Sequence, residues 1–341
     1  MPILQRITPS VHTSSWQQAL AQAIRDPKQL LNELNLPEEY LAGALAAHQD
    51  FPLRVPLGYV RRMKHGDIND PLLRQILPLG EELAQHPEFS HDPVGDENAV
   101  VQSGLLQKYK NRVLLMMTSA CPVHCRYCFR RHFPYSEHKG LQKHYQQALS
   151  TIAADNSINE VILSGGDPLS LSDTYIEELI QALADIEQIK RVRIHSRYPI
   201  FLPERTTPEL INTLSNTRLN TVMVIHCNHA NEIDEQVCES LSKLRQTGTT
   251  LLNQSVLLKG VNDNAESLIQ LSEQLFEAGV LPYYLHLLDK VQGAAHFDVS
   301  SQRALALIEQ IRQQLPGYLV PKLVREVAGL AYKTPISHSS F

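Results

Sequence analysis

The chain has 341 residues, of which 43% are hydrophobic and 20% are charged, and its formal net charge is −5 at pH 7. This is the composition of a globular protein with one large domain or two, and the slight acidity argues against a protein that binds nucleic acid or a membrane surface, because such proteins carry a basic bias. The five cysteines, three of them clustered, do not form a disulfide framework. The N-terminus lacks the pattern of a signal peptide and no apolar segment is long enough to cross a membrane, so we expect a cytoplasmic protein.

Residues 1–95 are rich in Leu, Ala, Gln and acidic residues, and they contain short helical patterns such as WQQALAQAIRD and EEYLAGALAAH. Pro and Gly separate these patterns, as they commonly do between short helices. We predict that residues 1–95 form a helical N-terminal region without catalytic chemistry of its own.

A repeated alternation of strands and helices begins at residue 112. Short β-branched runs alternate with longer helical patterns, which is typical of βα units that build a parallel sheet. The six predicted strands are RVLLMMT, EVILS, RVRIH, TVMVIH, TLLNQSV and PYYLHLL. We predict an α/β fold, a partial (β/α)6 TIM-like barrel over residues 96–315, followed by a short C-terminal segment over residues 316–341.

Polar residues follow every one of these predicted strands. The first four strands run into SACPVHC, GGDP, SRYP and CNHANE, the fifth carries Asn253 and Gln254, and the sixth ends near Asp289. In barrels of this kind the active site is built at the carboxyl ends of the strands. This regularity indicates an enzyme.

The stretch CPVHCRYCFRR places three cysteines, Cys121, Cys125 and Cys128, at a spacing that suits a metal. His132 could close a Cys₃His zinc site, or two of the thiols could form a redox pair. A zinc-stabilised nucleic-acid-binding protein would use these ligands together with the basic and aromatic RYCFRRHFPY. That reading explains the local stretch, but it explains neither the net acidity nor the polar residues after the other five strands.

The spacing CxxxCxxC after a first barrel strand resembles the radical S-adenosylmethionine (radical SAM) superfamily. The resemblance implies that Cys121, Cys125 and Cys128 hold three irons of a [4Fe–4S] cluster, and that the fourth iron binds the amino and carboxylate groups of S-adenosylmethionine. The resemblance also implies that SGGDP, after the second strand, corresponds to the glycine motif of the superfamily. Glycines there let the backbone approach the methionine portion of S-adenosylmethionine, and a carboxylate could bind its ammonium group.

Several further motifs, in order, resemble the lysine 2,3-aminomutase family. They are CRYCFRR, LSGGDPL, RIHSRYPI, HCNHANEI, NQSVLLKGVND, LDKVQGAAHF and a final KTP. Within the family, the chain is most similar to the short bacterial form that prepares β-lysine for the modification of translation elongation factor P. The resemblance implies an isomerase that converts L-α-lysine to β-lysine with the cluster, S-adenosylmethionine and pyridoxal 5′-phosphate.

The resemblance also assigns residues for pyridoxal phosphate and for the substrate. Lys333 matches the lysine that forms the Schiff base, and Arg112 matches a residue for the cofactor phosphate. Arg130 matches the arginine that binds the substrate carboxylate, and Asp289 matches one of two acids that bind its distal ammonium. At the second acidic position, Glu326 replaces the Asp of the clostridial pattern, which lengthens the reach by one methylene.

The same resemblance implies a set of residues that line the S-adenosylmethionine site. The set is Gly165, Gly166, Asp167, Ser196, His226, Asn228 and Gln254. For the last four, the alternative is that each is a hydrogen-bonded residue that supports the barrel rim.

The partners implied are free L-lysine, a reductant protein such as flavodoxin or ferredoxin, and a ligase that acts on elongation factor P. Neither nucleic acid nor a membrane is expected. The main alternative within the enzyme class is a radical SAM aminomutase that acts on another amino acid such as ornithine. The two acids Asp289 and Glu326 favour a cationic side chain and argue against glutamate.

Overall fold

The structure is a computed structural model that describes residues 15–134 and 141–337, with the side chains of residues 141–144 left aside. Its N-terminal part is built of short helices separated by turns. Asp26 and Asp70 each accept backbone N–H groups at the start of a helix that opens with proline, which is a common way to begin one. The helices are α1 Ser15–Ala21, α2 Pro27–Glu33, α3 Leu41–Asp50, α4 Leu57–Val60 and α5 Pro71–Arg74.

These helices share a core with the sheet that follows them. Leu30, Leu72 and Tyr59 are fully buried and belong to the same hydrophobic cluster as Val161 and Ile194 of the sheet. The intrinsic tendency to form a helix would not stabilise elements as short as four residues, so burial against the barrel stabilises them.

A ten-stranded sheet forms the centre of the molecule, with strands in sequence order from β1 to β10. Its parallel part has seven strands, and all six predicted strands are among them. These are β3 Arg112–Thr118, β4 Glu160–Gly165, β5 Arg191–Ser196, β6 Asn220–Ile225, β7 Thr250–Val256, β8 Leu281–His286 and β9 Lys322–Arg325. The last of them, β9, lies in the segment for which the sequence pattern predicts no strand.

Antiparallel strands extend the sheet at both ends. The hairpin β1 Val100–Gln102 and β2 Leu105–Tyr109 pairs with β3, and β10 Thr334–Pro335 pairs with β9. No strand pairing among the described residues joins the two ends, so the barrel is partial, as predicted.

Helices on the outer face cover the sheet, and most of them begin with a capping side chain. Ser172, Thr207, Asp234, Asn264 and Ser300 each accept a backbone N–H in the first turn. The helices are α6 Leu141–Ala154, α7 Asp173–Ala184, α8 Tyr198–Phe201, α9 Pro208–Ser215, α10 Glu235–Gln246, α11 Ala265–Glu277 and α12 Ser301–Arg312.

Within the described residues, no helix is long and apolar enough to cross a membrane.

Candidate active site

A cavity of about 680 Å³ opens among the carboxyl ends of the strands and their loops. This volume suits a small-molecule site. All but one of the site residues predicted from the sequence line it, and Asn228 is the exception. The lining includes Cys121, Cys125, Cys128, Gly165, Gly166, Asp167, Ser196, His226, Gln254, Arg112, Arg130, Asp289, Glu326 and Lys333.

The loop that carries the three cysteines follows β3 and is held by the N-terminal helical part. Arg126, which is fully buried, donates to both carboxylate oxygens of Glu82, at 2.8 and 2.6 Å, and to the carbonyl of Phe51 at 2.7 Å. Arg131 donates to the same Glu82 at 2.9 Å. The Arg126 N–H donates to the Gln75 carbonyl at 2.9 Å. The helical part therefore fixes the path of the loop.

Burial changes the acidity of two of the thiols. It raises the pKa of Cys121 well above its usual value and that of Cys128 to about 11. Nearby thiols add to the effect in both cases. A metal that binds these thiols would therefore have to displace their protons.

The Cys₃His zinc alternative is not favoured by the structure. The His132 Nε2 atom lies 3.1 Å from the Gln292 carbonyl oxygen, and its ring stacks on His91 at 4.3 Å between centroids. In the part of the chain that the structure describes, no group of three or more His, Cys, Asp or Glu side chains is arranged around a single ion. Three thiolates on three separate irons of a cluster do not need that arrangement.

The glycine pair after β4 lies directly against the cysteine loop. A Cβ atom at Gly166 would lie 2.4 Å from the Ala120 carbonyl oxygen, and one at Gly165 would lie 2.8 Å from that of Thr118. Gly165 also has φ +115°, a conformation that glycine adopts without strain. The Gly166 N–H donates to the Thr118 carbonyl at 2.6 Å. The pair thus allows the loops after β3 and β4 to meet.

Asp167 joins the loop after β4 to the end of β5. It accepts from the Ser196 hydroxyl at 2.8 Å, from the Arg197 N–H at 2.7 Å and from the Leu169 N–H at 3.0 Å. Burial raises the pKa of Asp167 to about 6, although these hydrogen bonds oppose the rise. Both carboxylate oxygens are engaged within the protein, so binding of a ligand ammonium here would share or replace these bonds.

The other residues predicted for S-adenosylmethionine differ in their surroundings. His226 lines the cavity with an Nε2 atom that lacks a hydrogen-bond partner among the described residues, and burial lowers its pKa to about 3. Asn228 is buried, and its amide donates to Gln75 at 2.9 Å and to the Tyr127 hydroxyl at 2.7 Å. Its Oδ1 accepts from the Val256 N–H at 2.9 Å. The structure therefore gives Asn228 a supporting position.

A cluster of charged groups lies where the C-terminal hairpin meets β2. The Lys333 ammonium donates to Glu326 at 2.8 Å, and the Tyr109 hydroxyl donates to the other Glu326 oxygen at 2.7 Å. Lys108 lies 3.8 Å from Glu326 and 2.6 Å from Asp96. Burial alone would raise the pKa of Glu326, but Lys333 and these hydrogen bonds lower it below its usual value. Glu326 is therefore ionised near neutral pH.

The remaining substrate residues lie in the same cavity. Arg130 donates to Asp96 at 2.6 Å and to the Ser164 hydroxyl at 3.2 Å, which fixes its side chain beside β4. Burial raises the pKa of Asp289 to about 7, with Lys333 lowering it and Glu326 raising it. Asp289 is thus a half-buried acid that a bound cation would ionise.

Arg112 lies at the amino end of β3, away from the cysteine loop but on the same cavity. Its guanidinium lies over the Tyr109 ring at 4.6 Å, and its Nε atom has no hydrogen-bond partner in the described part of the chain. The Nε atom of Arg193 in β5 also lacks a partner among the described residues, while its Nη2 atom is paired with Glu160 at 2.7 Å. Two partly unpaired guanidinium groups on one cavity suit an anion such as a phosphate.

Several residues of this site were not predicted from the sequence: Asp96, Lys108, Tyr109, Arg193 and Arg197. A signal existed for the hairpin that positions Lys108 and Tyr109. Its two-residue turn is Lys110–Asn111, and Asn111 has φ +66°, a conformation for which Asn is well suited.

Comparisons with known proteins identify the family. Residues 115–271 match the radical SAM superfamily. The chain is 49% identical to "L-lysine 2,3-aminomutase" of Escherichia coli (strain K12), over 96% of each chain. It is 49% identical to the protein of that name from Haemophilus influenzae, over 94% of this chain and 95% of the other, and 33% identical to that of Clostridium subterminale, over 95% and 78%.

The chain belongs to the L-lysine 2,3-aminomutase family. This confirms the resemblance drawn from the sequence motifs. Membership of the radical SAM superfamily implies a [4Fe–4S] cluster and S-adenosylmethionine. The residues fit such a cluster, because Cys121, Cys125 and Cys128 all line the cavity and the glycine pair packs against their loop.

Proposed function

We propose that the protein is a radical SAM isomerase that converts L-α-lysine to β-lysine. The observation that carries the proposal is that one cavity is lined by the three clustered thiols, by Lys333 and by the two acids Asp289 and Glu326. A site for radical generation, an amine that can bind an aldehyde cofactor and a site for a cationic side chain then share one enclosed space. The names and the extensive identity of the family members support the substrate.

Cys121, Cys125 and Cys128 hold the cluster, and the strands β4 to β7 with the loops that follow them supply the S-adenosylmethionine side. The residues proposed there are Gly165, Gly166, Asp167, Ser196, His226, Asn228 and Gln254. The cluster and S-adenosylmethionine supply a radical that takes hydrogen from the substrate. Of these residues, Ser196 and Asn228 act by support, since their polar atoms bond within the protein.

Pyridoxal 5′-phosphate binds through Lys333, and Arg112 receives its phosphate. The unpartnered Nε atoms of Arg112 and Arg193 on the cavity support the phosphate site. The cofactor supplies the conjugated system through which the amino nitrogen migrates. The protein's part is to hold the reacting groups in place and to exclude water from them.

Arg130 binds the carboxylate of lysine, and Asp289 with Glu326 binds its distal ammonium. Asp96 orients the Arg130 guanidinium through its 2.6 Å hydrogen bond. A guanidinium fork suits a carboxylate, and two carboxylates suit an ammonium that leaves water. Ornithine carries the same charges on a chain one methylene shorter, so it is the competing substrate. A difference of one methylene is worth about 1–3 kcal/mol in a pocket.

The division of the chain and its partners complete the proposal. The chain divides into a helical region over residues 1–95, a barrel over residues 96–315 and a segment over residues 316–341 that carries the cofactor lysine and adds β9 and β10 to the sheet. Residues 1–14 and 338–341 of these ranges lie outside the described residues. The electron comes from a reductant protein such as flavodoxin or ferredoxin, and β-lysine passes to a ligase that acts on elongation factor P, in the cytoplasm. The likeness to bacterial family members supports the link to the ligase, since the chain matches two of them over 94–96% of its own length and 95–96% of theirs.

An anaerobic assay tests the proposed reaction. The protein is reconstituted with iron and sulfide and supplied with S-adenosylmethionine, pyridoxal phosphate, a chemical reductant and L-lysine, and β-lysine is measured by mass spectrometry. We expect four irons per chain and β-lysine that depends on every component. Cleavage of S-adenosylmethionine without β-lysine would refute the substrate, and a parallel assay with L-ornithine would show whether it replaces lysine. A protein that binds zinc and takes up no iron would refute the cluster.

A further inference from the structure

Arg197 lies buried beside one of the three clustered thiols. It follows β5 directly and is only 7% exposed. Its Nη1 atom donates to the Cys125 sulfur at 2.8 Å and to the Tyr127 hydroxyl at 2.5 Å. The cysteine loop and the end of β5 are therefore joined through a charged hydrogen bond to a proposed cluster ligand.

The other nitrogens of the guanidinium group are also bonded, so its orientation is fixed. Nη2 donates to Glu232 at 3.1 Å and to the Gln75 side chain at 3.3 Å, and Nε donates to the His226 carbonyl at 3.1 Å. The backbone N–H of Arg197 donates to Asp167 at 2.7 Å. Five acceptors for one side chain leave no alternative rotamer that keeps them all.

A second layer holds these acceptors in place. The Asn228 amide donates to the Tyr127 hydroxyl at 2.7 Å and to Gln75 at 2.9 Å. Gln75 in turn donates to Glu232 at 3.1 Å. Gln75 lies at the end of α5 in the helical part, so the residues that position Arg197 come from both the N-terminal part and the barrel.

The Arg197 guanidinium is paired with a carboxylate and lies over an aromatic ring. Glu232, which is fully buried, is the carboxylate bonded to it, and the Phe201 ring lies 4.4 Å from the guanidinium carbon. A thiolate at Cys125 would be a second anion within reach of the same cation.

We propose that Arg197 is a positioning residue that stabilises the Cys125 thiolate as a cluster ligand and raises the reduction potential of the cluster. The proposal rests on the cluster of the proposed function. Reduction adds one electron to the cluster from a low-potential one-electron donor, and no bond is made or broken. A fixed cation at a ligand sulfur stabilises the more negative, reduced state, because hydrogen bonds to the sulfurs and net charge set such potentials.

The test is a redox titration of reconstituted protein, followed by electron paramagnetic resonance of the reduced cluster. The variant Arg197→Gln keeps a hydrogen-bond donor and loses the charge. We expect the equilibrium constant for reduction to fall at least tenfold, which is about 59 mV for one electron. Arg197→Lys keeps the charge but loses the fork, so its potential should lie between those of Arg197→Gln and the wild type.

Arg205 offers a matched control. It is also fully buried, and it donates to Asp173 at 2.6 Å and to the carbonyls of Leu169 and Leu171 at 2.6 and 3.0 Å. None of these contacts involves a cysteine. Arg205→Gln should therefore lower the thermal stability without shifting the potential.

The outcomes separate the two proposals. A full cluster in Arg197→Gln with the wild-type potential would overturn the role of Arg197 and leave the proposed function standing. Loss of iron from Arg197→Gln but not from Arg205→Gln supports the positioning of Cys125, and Arg197→Lys then reports the potential. Equal loss from both variants would mean a general structural role and would overturn the inference. Wild-type protein that forms no cluster would overturn both proposals.

Discussion

The Lys333 ammonium lies 2.8 Å from the Glu326 carboxylate, across the last hairpin of the sheet. The register explains this contact. Thr334 pairs with Arg325 in an antiparallel ladder, so Lys333, which precedes Thr334, lies opposite Glu326, which follows Arg325. The chain's own lysine thus contacts the carboxylate that is proposed to bind the substrate ammonium. Attachment of pyridoxal phosphate to Lys333 would convert this ammonium into an imine nitrogen and so change its contact with Glu326.

Replacement of Glu326 by Gln should weaken lysine binding. The substitution keeps the shape but removes one of two charges proposed for the distal ammonium, and a hydrogen bond to a charged group contributes about 1.5–3 kcal/mol. We expect the KM for lysine to rise at least about tenfold, which corresponds to about 1.4 kcal/mol. Initial rates of β-lysine formation measure it. Tyr109→Phe, which keeps the carboxylate and removes one hydrogen bond to it, should give a smaller rise, and equal KM values for E326Q and wild type would contradict the assignment.

Replacement of Lys333 by Ala should abolish covalent attachment of pyridoxal phosphate. The amine is the group that forms the Schiff base, and its loss also removes the ion pair with Glu326. The visible absorption of bound cofactor and its fixation by borohydride should both be lost, while iron content stays at the wild-type value. Lys322→Ala is the control, since that lysine lies on β9 and lines the same cavity. Fixation of the cofactor in K333A would show that another lysine holds it.

Asp289 predicts a pH dependence of substrate binding. Burial raises its pKa to about 7, and the ionised form attracts the substrate ammonium. The KM for lysine should therefore fall as pH rises through about 7, and Asp289→Asn should flatten this dependence. A wild-type profile that is already flat between pH ~6 and ~8 would refute the role.

The same pKa determines how Asp289 affects stability. Because the folded value lies above the value in the unfolded chain, the unfolded state releases the proton first as pH rises. Asp289 therefore lowers the free energy of unfolding of the apoprotein progressively between pH ~4 and ~7. In urea titrations, the free energy of unfolding of Asp289→Asn should rise relative to that of the wild type over that interval. A constant difference between the two free energies would contradict the raised pKa.

Replacement of Gly166 by Ala should disturb the cysteine loop. A Cβ atom would lie 2.4 Å from the backbone oxygen of Ala120, so one of the two loops must move. We expect less iron per chain and a lower melting temperature. Gly58→Ala is the control, because a Cβ atom there would have no neighbour within 4 Å. Wild-type iron content in G166A would show that the loops adapt without loss.

Removal of Glu82 should leave two arginines of the cysteine loop without their carboxylate. Glu82 and the side chains of Arg126 and Arg131 are all nearly fully buried. Loss of one partner of a buried pair costs about 3–5 kcal/mol, since the other charge remains. The free energy of unfolding of Glu82→Ala, measured in denaturant titrations, should be lower than that of the wild type by this amount, and the variant should also bind less iron. Glu309→Ala, which removes an exposed pair with Arg312, should cost less than about 1 kcal/mol.

The sequence predicted the strands that carry strong β-branched runs, and it predicted the cavity at their carboxyl ends. All six of those strands are present. It did not predict β1, β2, β9 or β10, which have three, five, four and two residues. Such short strands depend on pairing with a distant part of the chain, and local patterns do not record that.

Site residues show the same limit. The motifs identified Asp167 and Asn228 by type and position, but not whether their polar atoms bond to ligand or to protein. Asn228 is engaged with Gln75, which lies in a part of the chain about 150 residues away. Arg197 was visible within SRYP, yet its contact with Cys125 depends on how two loops approach each other.

The open sheet has a further consequence. Its two ends meet through Tyr109 and Lys108 from one side and Glu326 from the other, with no backbone ladder between them among the described residues. Separating the two sides therefore breaks side-chain contacts and leaves every strand pair intact. Opening this seam to a molecule as large as pyridoxal phosphate would therefore require no strand pair to separate, and Glu326, which is proposed to bind the substrate ammonium, would be among the groups released.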